Sequence, residues 1–396
     1  MQMHQNPCYR NRVNTRFAPT ALMLGNIVTG CSIMAPAGML NELAESLDVS
    51  IRTAGLLITF GAVVLCVGSP LTAWLTGRIE RRRLLTVTLA VLAITNLASA
   101  FASNYTTLLV IRLIMLGIGV IYTPQAAGTA ALIVPVEKRG STIAYIFLGW
   151  SLAAAIGLPL ISFVASRYGW QVAYAGIGVG GVLSFLLLAW QLPRKLYAAP
   201  VALRTWIDLG RNRLIILLLL ITVLQMSGQF TIFTFMGPLL KQQTGASADA
   251  IGLVFALYGG FGFVGILIAT RIVDSWGAYR TSVLFTSLLF AGVAGWALGA
   301  GIYALMACGA VSWGLGFAST NSMQQVRLVA AAPPLAPASV SLNTSVLYVG
   351  QAIGSFVGGI FYARDWLHEQ GFVGAVFVAV ALAFVIASRP KQGLAS

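Results

Sequence analysis

The chain has 396 residues, of which 58% are hydrophobic and 9% charged, with a formal net charge of +14. A soluble globular protein carries about 25% charged residues, so an ordinary water-exposed surface cannot be assembled from this composition. The basic excess does not mark a nucleic-acid binder: such proteins gather Lys and Arg into one patch or stripe, whereas here they fall in short clusters between long apolar runs.

A membrane-crossing helix needs about 20 mainly apolar residues. Arg10, Arg12 and Arg16 precede an apolar stretch longer than a signal-peptide core of about 7–15 residues, which predicts a retained first span near 18–40. Further spans are predicted near 54–76, 84–101, 106–131, 142–166, 172–191, 213–238, 251–272, 281–299, 302–328, 338–361 and 371–388. Very short links after the third and ninth spans predict tight hairpins. Alternate loops from the N-terminus hold nineteen of the 24 Lys and Arg residues, against four (Arg52, Arg167, Lys241 and Arg364) on the opposite side. Positive loops stay inside, so both termini are expected in the cytoplasm, which an even number of spans requires. Residues 193–212, with Pro193, Pro200 and four basic residues and with Arg213 directly after them, read as a cytoplasmic linker. They divide the chain into bundles 1–192 and 213–396, and Trp206 and Leu209 would let part of the linker lie along the membrane surface.

The halves look alike. Gly149-Trp-Ser-Leu-Ala-Ala-Ala-Ile-Gly157 in the fifth span matches Gly350-Gln-Ala-Ile-Gly-Ser-Phe-Val-Gly358 in the eleventh at an offset of 201. The loop ending in Arg83 corresponds to that ending in Arg280, an offset of 197. Two repeated six-helix bundles place a substrate site between them, near the midplane.

The segment Gly68-Ser-Pro-Leu-Thr-Ala-Trp-Leu-Thr-Gly-Arg-Ile-Glu-Arg-Arg-Arg83 resembles the loop between helices 2 and 3 of the major facilitator superfamily, in its twelve-helix drug:proton antiporter and sugar-efflux branch. Pro70, Gly77, Arg78, Arg81 and Arg82 carry the likeness, and Asp274-Ser-Trp-Gly-Ala-Tyr-Arg280 is its partner in the second half. Glu137-Lys-Arg-Gly140, Gly169-Trp170, and Asn343 with Gln351, Gly354, Gly358 and Gly359 are similar to the family in the same order. The resemblance implies an all-α integral membrane fold of two pseudo-symmetric bundles. It also implies a conformational latch formed by Gly77, Arg78, Arg81, Arg82, Asp274 and Arg280; the alternative is that these arginines only anchor a cytoplasmic loop. Gly157-Leu-Pro159 resembles the antiporter motif of helix 5 but inserts Leu158 between Gly and Pro. With Gly149, Gly350, Gly354 and Gly358 it predicts close helix packing and a proline kink.

All ten acidic residues fall in loops or at span ends, and Ile33 occupies the place where many relatives carry an acid in helix 1. A proton remains a candidate coupling ion, but its simplest carrier is missing. Arg112 is the one charge inside a span. Such a residue either serves a substrate anion or gate or snorkels to headgroups. Asn26, Tyr122, Gln125, Gln225, Gln229, Asn321, Gln324, Asn343 and Gln351, with the Trp150 ring, complete the candidate substrate site. Each amide needs a partner in lipid, which a neighbouring helix or a water-filled cavity would supply. Gly176-Ile-Gly-Val-Gly-Gly181 satisfies GxGxxG inside an apolar span without a preceding strand, so it carries no dinucleotide reading.

Neither the separated cysteines nor His4 and His368 suggest a metal site, and no phosphate-binding loop is present. No cofactor is expected, and no enzyme. The expected function is alternating-access transport of a small organic molecule across the cytoplasmic (inner) membrane, outward, by a monomer. Facilitated diffusion or anion exchange at Arg112 is the alternative within transport; a membrane sensor or scaffold is the alternative outside it.

Overall fold

The computed structural model describes residues 17–76, 78–135, 139–197, 210–331 and 336–389, and these are helical with no strand among them. Ten helices are long and apolar enough to cross a membrane. One, Ala248–Leu298, is broken at Gly277, whose φ of 77° no helix contains, so it crosses twice. Tyr303–Ala331, at 29 residues, is also long enough to cross. The described residues thus form twelve spans.

Spans 1 to 3 are Ala18–Gly38, Ile51–Leu75 and Arg81–Ser99. Span 4 is Tyr105–Gly119 continued by Tyr122–Ile133. Span 5 joins Arg139–Leu152, a π-helical turn Ala153–Gly157 and Leu158–Tyr168; span 6 is Trp170–Gln191. Span 7 is Arg213–Phe233, extended by Met236–Thr244. Residues 248–276 and 278–298 form spans 8 and 9, and spans 10 to 12 are Tyr303–Ala331, Ala336–Ala363 and Leu367–Ala387. Helix starts are set locally, since a cap side chain satisfies an amide that the first turn leaves free. Ser50 accepts from the Thr53 amide at 3.1 Å, and Asn104 from that of Thr107 at 2.9 Å.

Several sequence expectations are corrected. Span 1 ends at Gly38, and a separate short helix, Leu40–Ser46, follows it. The expected loop between spans 8 and 9 is a helix with a single break at Gly277. Pro159 does not simply kink span 5. The Leu158 amide bonds the Ala153 carbonyl in the five-residue π pattern, and Pro159 has no amide to give. The widened turn absorbs the proline, leaving the Ala154 carbonyl without either of those donors. Trp206, Leu209, Gly77, Glu137 and Lys138 lie outside the described residues.

The repeated glycine segments perform the same packing task in each half. A methyl on Gly149 would lie 2.5 Å from the Met23 carbonyl, and one on Gly157 2.5 Å from Cys31 Sγ, both on span 1. On span 11, Gly350, Gly354 and Gly358 press equally close to the carbonyls of Val223, Ser227 and Thr231 on span 7. Gly178 and Gly181, of the GxGxxG match, likewise seat span 6 against Leu97 and Ala93 of span 3.

Two faces can be distinguished. The basic face holds the ends tied by the Arg81 amide to the Leu196 carbonyl (2.8 Å), the Lys195 amide to Glu80 Oε1 (2.6 Å) and Tyr279 Oη to the Ile386 carbonyl (3.0 Å). At the far face the bundles meet. Met34, Ala37, Leu40, Ala54, Ile58 and Leu158 of one half form a continuous buried core with Phe233, Phe235, Leu239, Val254, Phe255 and Tyr258 of the other. The freed Ala154 carbonyl meets Gly259 of span 8 so closely that a methyl there would be 2.4 Å away. At the rim, Arg167 Nη2 bonds Asp249 Oδ2 at 3.3 Å. Towards the basic face, Leu347 and Tyr348 are the C-terminal residues that join the core of the first bundle. The remaining described cores there each belong to one bundle.

Candidate substrate site

In the first bundle, two candidate positions, Trp150 and Asn26, connect through Thr123 into one chain. Trp150 Nε1 donates to Thr123 Oγ1 at 3.0 Å, Thr123 Oγ1 donates to Asn26 Oδ1 at 2.7 Å, and Asn26 Nδ2 donates to the Ile146 carbonyl at 3.0 Å. Spans 1, 4 and 5 are thereby tied around Thr123, a residue sequence reasoning passed over. Trp150 is half-buried and packs against both cores that join the bundles. Tyr122 is fully buried and donates to the Leu22 carbonyl at 3.2 Å, with Gly25 leaving room for its ring. Gln125 lies nearer the basic face. Its Oε1 accepts from Arg81 Nη1, and its Nε2 donates to Thr76 Oγ1 at 3.3 Å.

In the second bundle, Gln229 Oε1 accepts from Trp313 Nε1 at 3.0 Å, and Gln225 Nε2 donates to Thr286 Oγ1 at 2.9 Å. Gln225 Oε1 is buried without a hydrogen-bond partner among the described residues. Thr222 Oγ1 donates to Asn343 Oδ1 at 2.7 Å, and Asn343 Nδ2 to Asn321 Oδ1 at 3.0 Å. Gln324 Nε2 donates to the Leu218 carbonyl at 2.8 Å, and Gln351 is buried on span 11. Trp313 also centres an aromatic cluster with Phe233, Tyr258 and Trp296, ring centroids 5.1–6.4 Å apart. That cluster was not legible as a unit in the sequence, because its rings come from spans 7, 8, 9 and 10.

Arg112 does not snorkel. It is 1% exposed, and its Nε, Nη1 and Nη2 donate to the carbonyls of Leu57 (2.9 Å), Ser32 (3.1 Å) and Ile33 (2.8 Å). The guanidinium thus pins spans 1, 2 and 4 together. Arg327, counted from sequence among the loop charges, is also buried, in span 10. Its Nη1 bonds Ser282 Oγ (3.4 Å) and Gln324 Oε1 (3.2 Å), and its Nη2 bonds Ser388 Oγ (2.5 Å) and the Ser388 carbonyl (3.4 Å).

These basic-face contacts repeat with a swap. In the first half, span 3 supplies the guanidinium groups: Arg81 bonds Gln125 on span 4, and Arg82 bonds the Ala189 carbonyl on span 6. In the second half, span 10 supplies one arginine, Arg327, which reaches Ser282 on span 9 and Ser388 at the end of span 12. Of the predicted latch, Arg78, Asp274 and Arg280 are exposed. None makes an ion pair with a described residue; the one such pair is Arg167–Asp249. No group of three or more His, Cys, Asp or Glu side chains among the described residues could hold a metal.

The family profile of the Major Facilitator Superfamily matches residues 22–355, and matches a second time over 218–395. The chain belongs to the major facilitator superfamily. This facilitator is 26% identical over 383 residues to the uncharacterized MFS-type transporter YbcL of Bacillus subtilis (strain 168), covering 94% of this chain and 96% of that one. It is 27% identical over 390 residues to a probable sugar efflux transporter of Mannheimia succiniciproducens, covering 95% and 94%. Among solved structures, a D-xylose–proton symporter superposes with a TM-score of 0.77 at 16% identity, over 96% of this chain and 99% of the other. A bacterial homologue of the human lysosomal transporter Spinster, inward-facing and unoccupied, gives 0.75 at 14% identity, over 97% and 100%. The facilitator is therefore a multi-pass membrane transporter of the small-molecule type.

Proposed function

We propose that this facilitator exports a small, uncharged organic molecule, sugar-like or amphipathic, by alternating access. The observation carrying this reading is the far-face seal. Both bundles bury one core there, whereas described cores nearer the basic face belong almost wholly to one bundle. Positive-inside charge supports placing the basic face and both termini in the cytoplasm. The present state is then open towards the cell interior, where a substrate for export would enter. Bundles 1–192 and 213–396, joined by linker 193–212, move against each other, and one chain suffices. The name of the sugar-efflux relative supports the outward direction.

We assign the substrate contacts to the half-buried Trp150 with Asn26 and Thr123, facing Gln225 and Gln229. Gln225 Oε1, an acceptor without a partner, is suited to a hydroxyl donor. The described charges buried in the bundles, Arg81, Arg112 and Arg327, have their donors engaged within one bundle. This favours a neutral substrate over anion exchange at Arg112, which acts as a strut. The remaining buried amides, Tyr122 and Gln125 hold helices together. The exposed Arg78, Asp274 and Arg280 form the latch only once the basic face closes.

The test is accumulation of labelled sugars and amphipathic drugs in inverted and right-side-out vesicles with an imposed pH gradient. Uptake into inverted vesicles that an uncoupler abolishes is expected for proton-driven export. Counterflow surviving the uncoupler would indicate equilibrative exchange. Movement of no compound in either orientation would overturn the transporter mechanism proposed.

A further inference from the structure

A cavity of about 160 Å3 lies in the far-face seam, walled by Asn41, Glu42 and Ser162 of the first bundle and Gly237, Lys241 and Ser247 of the second. Glu42 sits on the short helix Leu40–Ser46, beyond the end of span 1. Its surroundings are made equally by both bundles, so separating them at the far face removes one wall and admits water. We propose that Glu42 is a proton-binding site that senses this seam, holding its proton more tightly while the far face is closed than once it opens.

Burial raises the Glu42 carboxyl above its ordinary value, which is the largest influence on it. A main-chain hydrogen bond and the Lys241 charge oppose the rise, and the Glu45 charge adds to it. Around the cavity, span 7 supplies Lys241, whose exposed ammonium is screened by water. Arg167 of span 5 and Asp249 of span 8 neutralise each other at the rim, and Asp48 and Tyr362 line the adjoining cleft. Because burial outweighs the Lys241 charge in the closed seam, hydration on opening is expected to lower the pKa more than losing Lys241 raises it. The closed state therefore binds the proton more tightly, so acid favours closure and alkali favours opening. The site provides pH sensitivity without a carboxylate inside the membrane and does not need to lie on a proton pathway.

This inference rests on the alternating-access reading, and its test is separable from transport. In the full chain, with native cysteines replaced by serine, spin labels at Ser103→Cys and Ile302→Cys report the far-face distance in nanodiscs. Raising the pH from about 5 to about 9 should lower the closed-to-open ratio by up to about tenfold for each unit by which closure raises the pKa. Glu42→Gln should remain closed across the range, and Lys241→Met, at an exposed position, should move the midpoint upward. A distance independent of pH in the parent protein, an unchanged titration in Glu42→Gln or a lowered midpoint in Lys241→Met would overturn the proposal. Vesicles that transport normally while the distance ignores pH would sink the sensor alone; pH-dependent distances without any transport would sink the transporter reading instead.

Discussion

Gly259→Ala is expected to open the far face. A methyl at Gly259 would lie 2.4–2.5 Å from the Ala154 carbonyl oxygen and carbon and Ala155 Cα, all main-chain atoms that no rotamer change can move. Restoring ordinary contact requires the bundles to separate by roughly 1 Å at this point, and overpacking of this kind costs about 1–3 kcal/mol. The cost applies only where the bundles touch, so the open state escapes it and gains about 5- to 150-fold in relative population. A cysteine at Ala54, fully buried in the far-face core, provides the assay: its labelling by a membrane-impermeant maleimide should accelerate by that factor. Gly292→Ala is the control, because its methyl would meet the Trp313 amide nitrogen at 2.1 Å inside a single bundle. It should lower the melting temperature without speeding the label. Labelling of Gly259→Ala at the parental rate with an unchanged Tm, or a Tm loss as large as that of Gly292→Ala, would refute the reasoning.

Arg112→Leu should lower the Tm as well as transport: it leaves the Ser32 carbonyl, whose helical partner Pro36 has no amide, without a donor at about 1–3 kcal/mol, and removes the second hydrogen bond of the Leu57 and Ile33 carbonyls; transport lost with an unaltered melting curve would restore a direct substrate role. Arg327→Ala should destabilise the second bundle by severing spans 9 and 12 from span 10, with Arg327→Lys recovering part of the loss in the same thermal melt. Trp150→Ala should weaken substrate affinity by tenfold or more, as expected from removing about 1.5–3 kcal/mol of apolar burial, while Trp150→Phe retains most of it. An equilibrium binding measurement on the first substrate identified decides between the two.

Apolar length alone located the spans, because lipid demands long helices with every backbone group satisfied. The features missed depend on partners distant in the chain. Arg327 borders a polar, proline-containing segment and so resembles a loop charge; its burial comes from Ser282 and Ser388, 45 and 61 positions away. Arg112 was recognised as unusual, but its partners are carbonyls, which have no sequence signature. Thr123 looked like an ordinary span residue until Asn26 and Trp150 met on it. The break at Gly277 was hidden for a related reason: one residue with positive φ reverses a helix as effectively as the loop expected there.

The swapped arginines limit how far the two halves can be treated as interchangeable modules. Each bundle ties its three basic-face helix ends with guanidinium groups, yet the donors stand on opposite sides of the joint. Grafting span 3 in place of span 9 would set the Arg81 and Arg327 side chains face to face, with two cations competing for one Gln and one terminal carbonyl. A hybrid that moves spans 3 and 4 together would avoid the conflict, so the unit of exchange in this transporter is the helix pair.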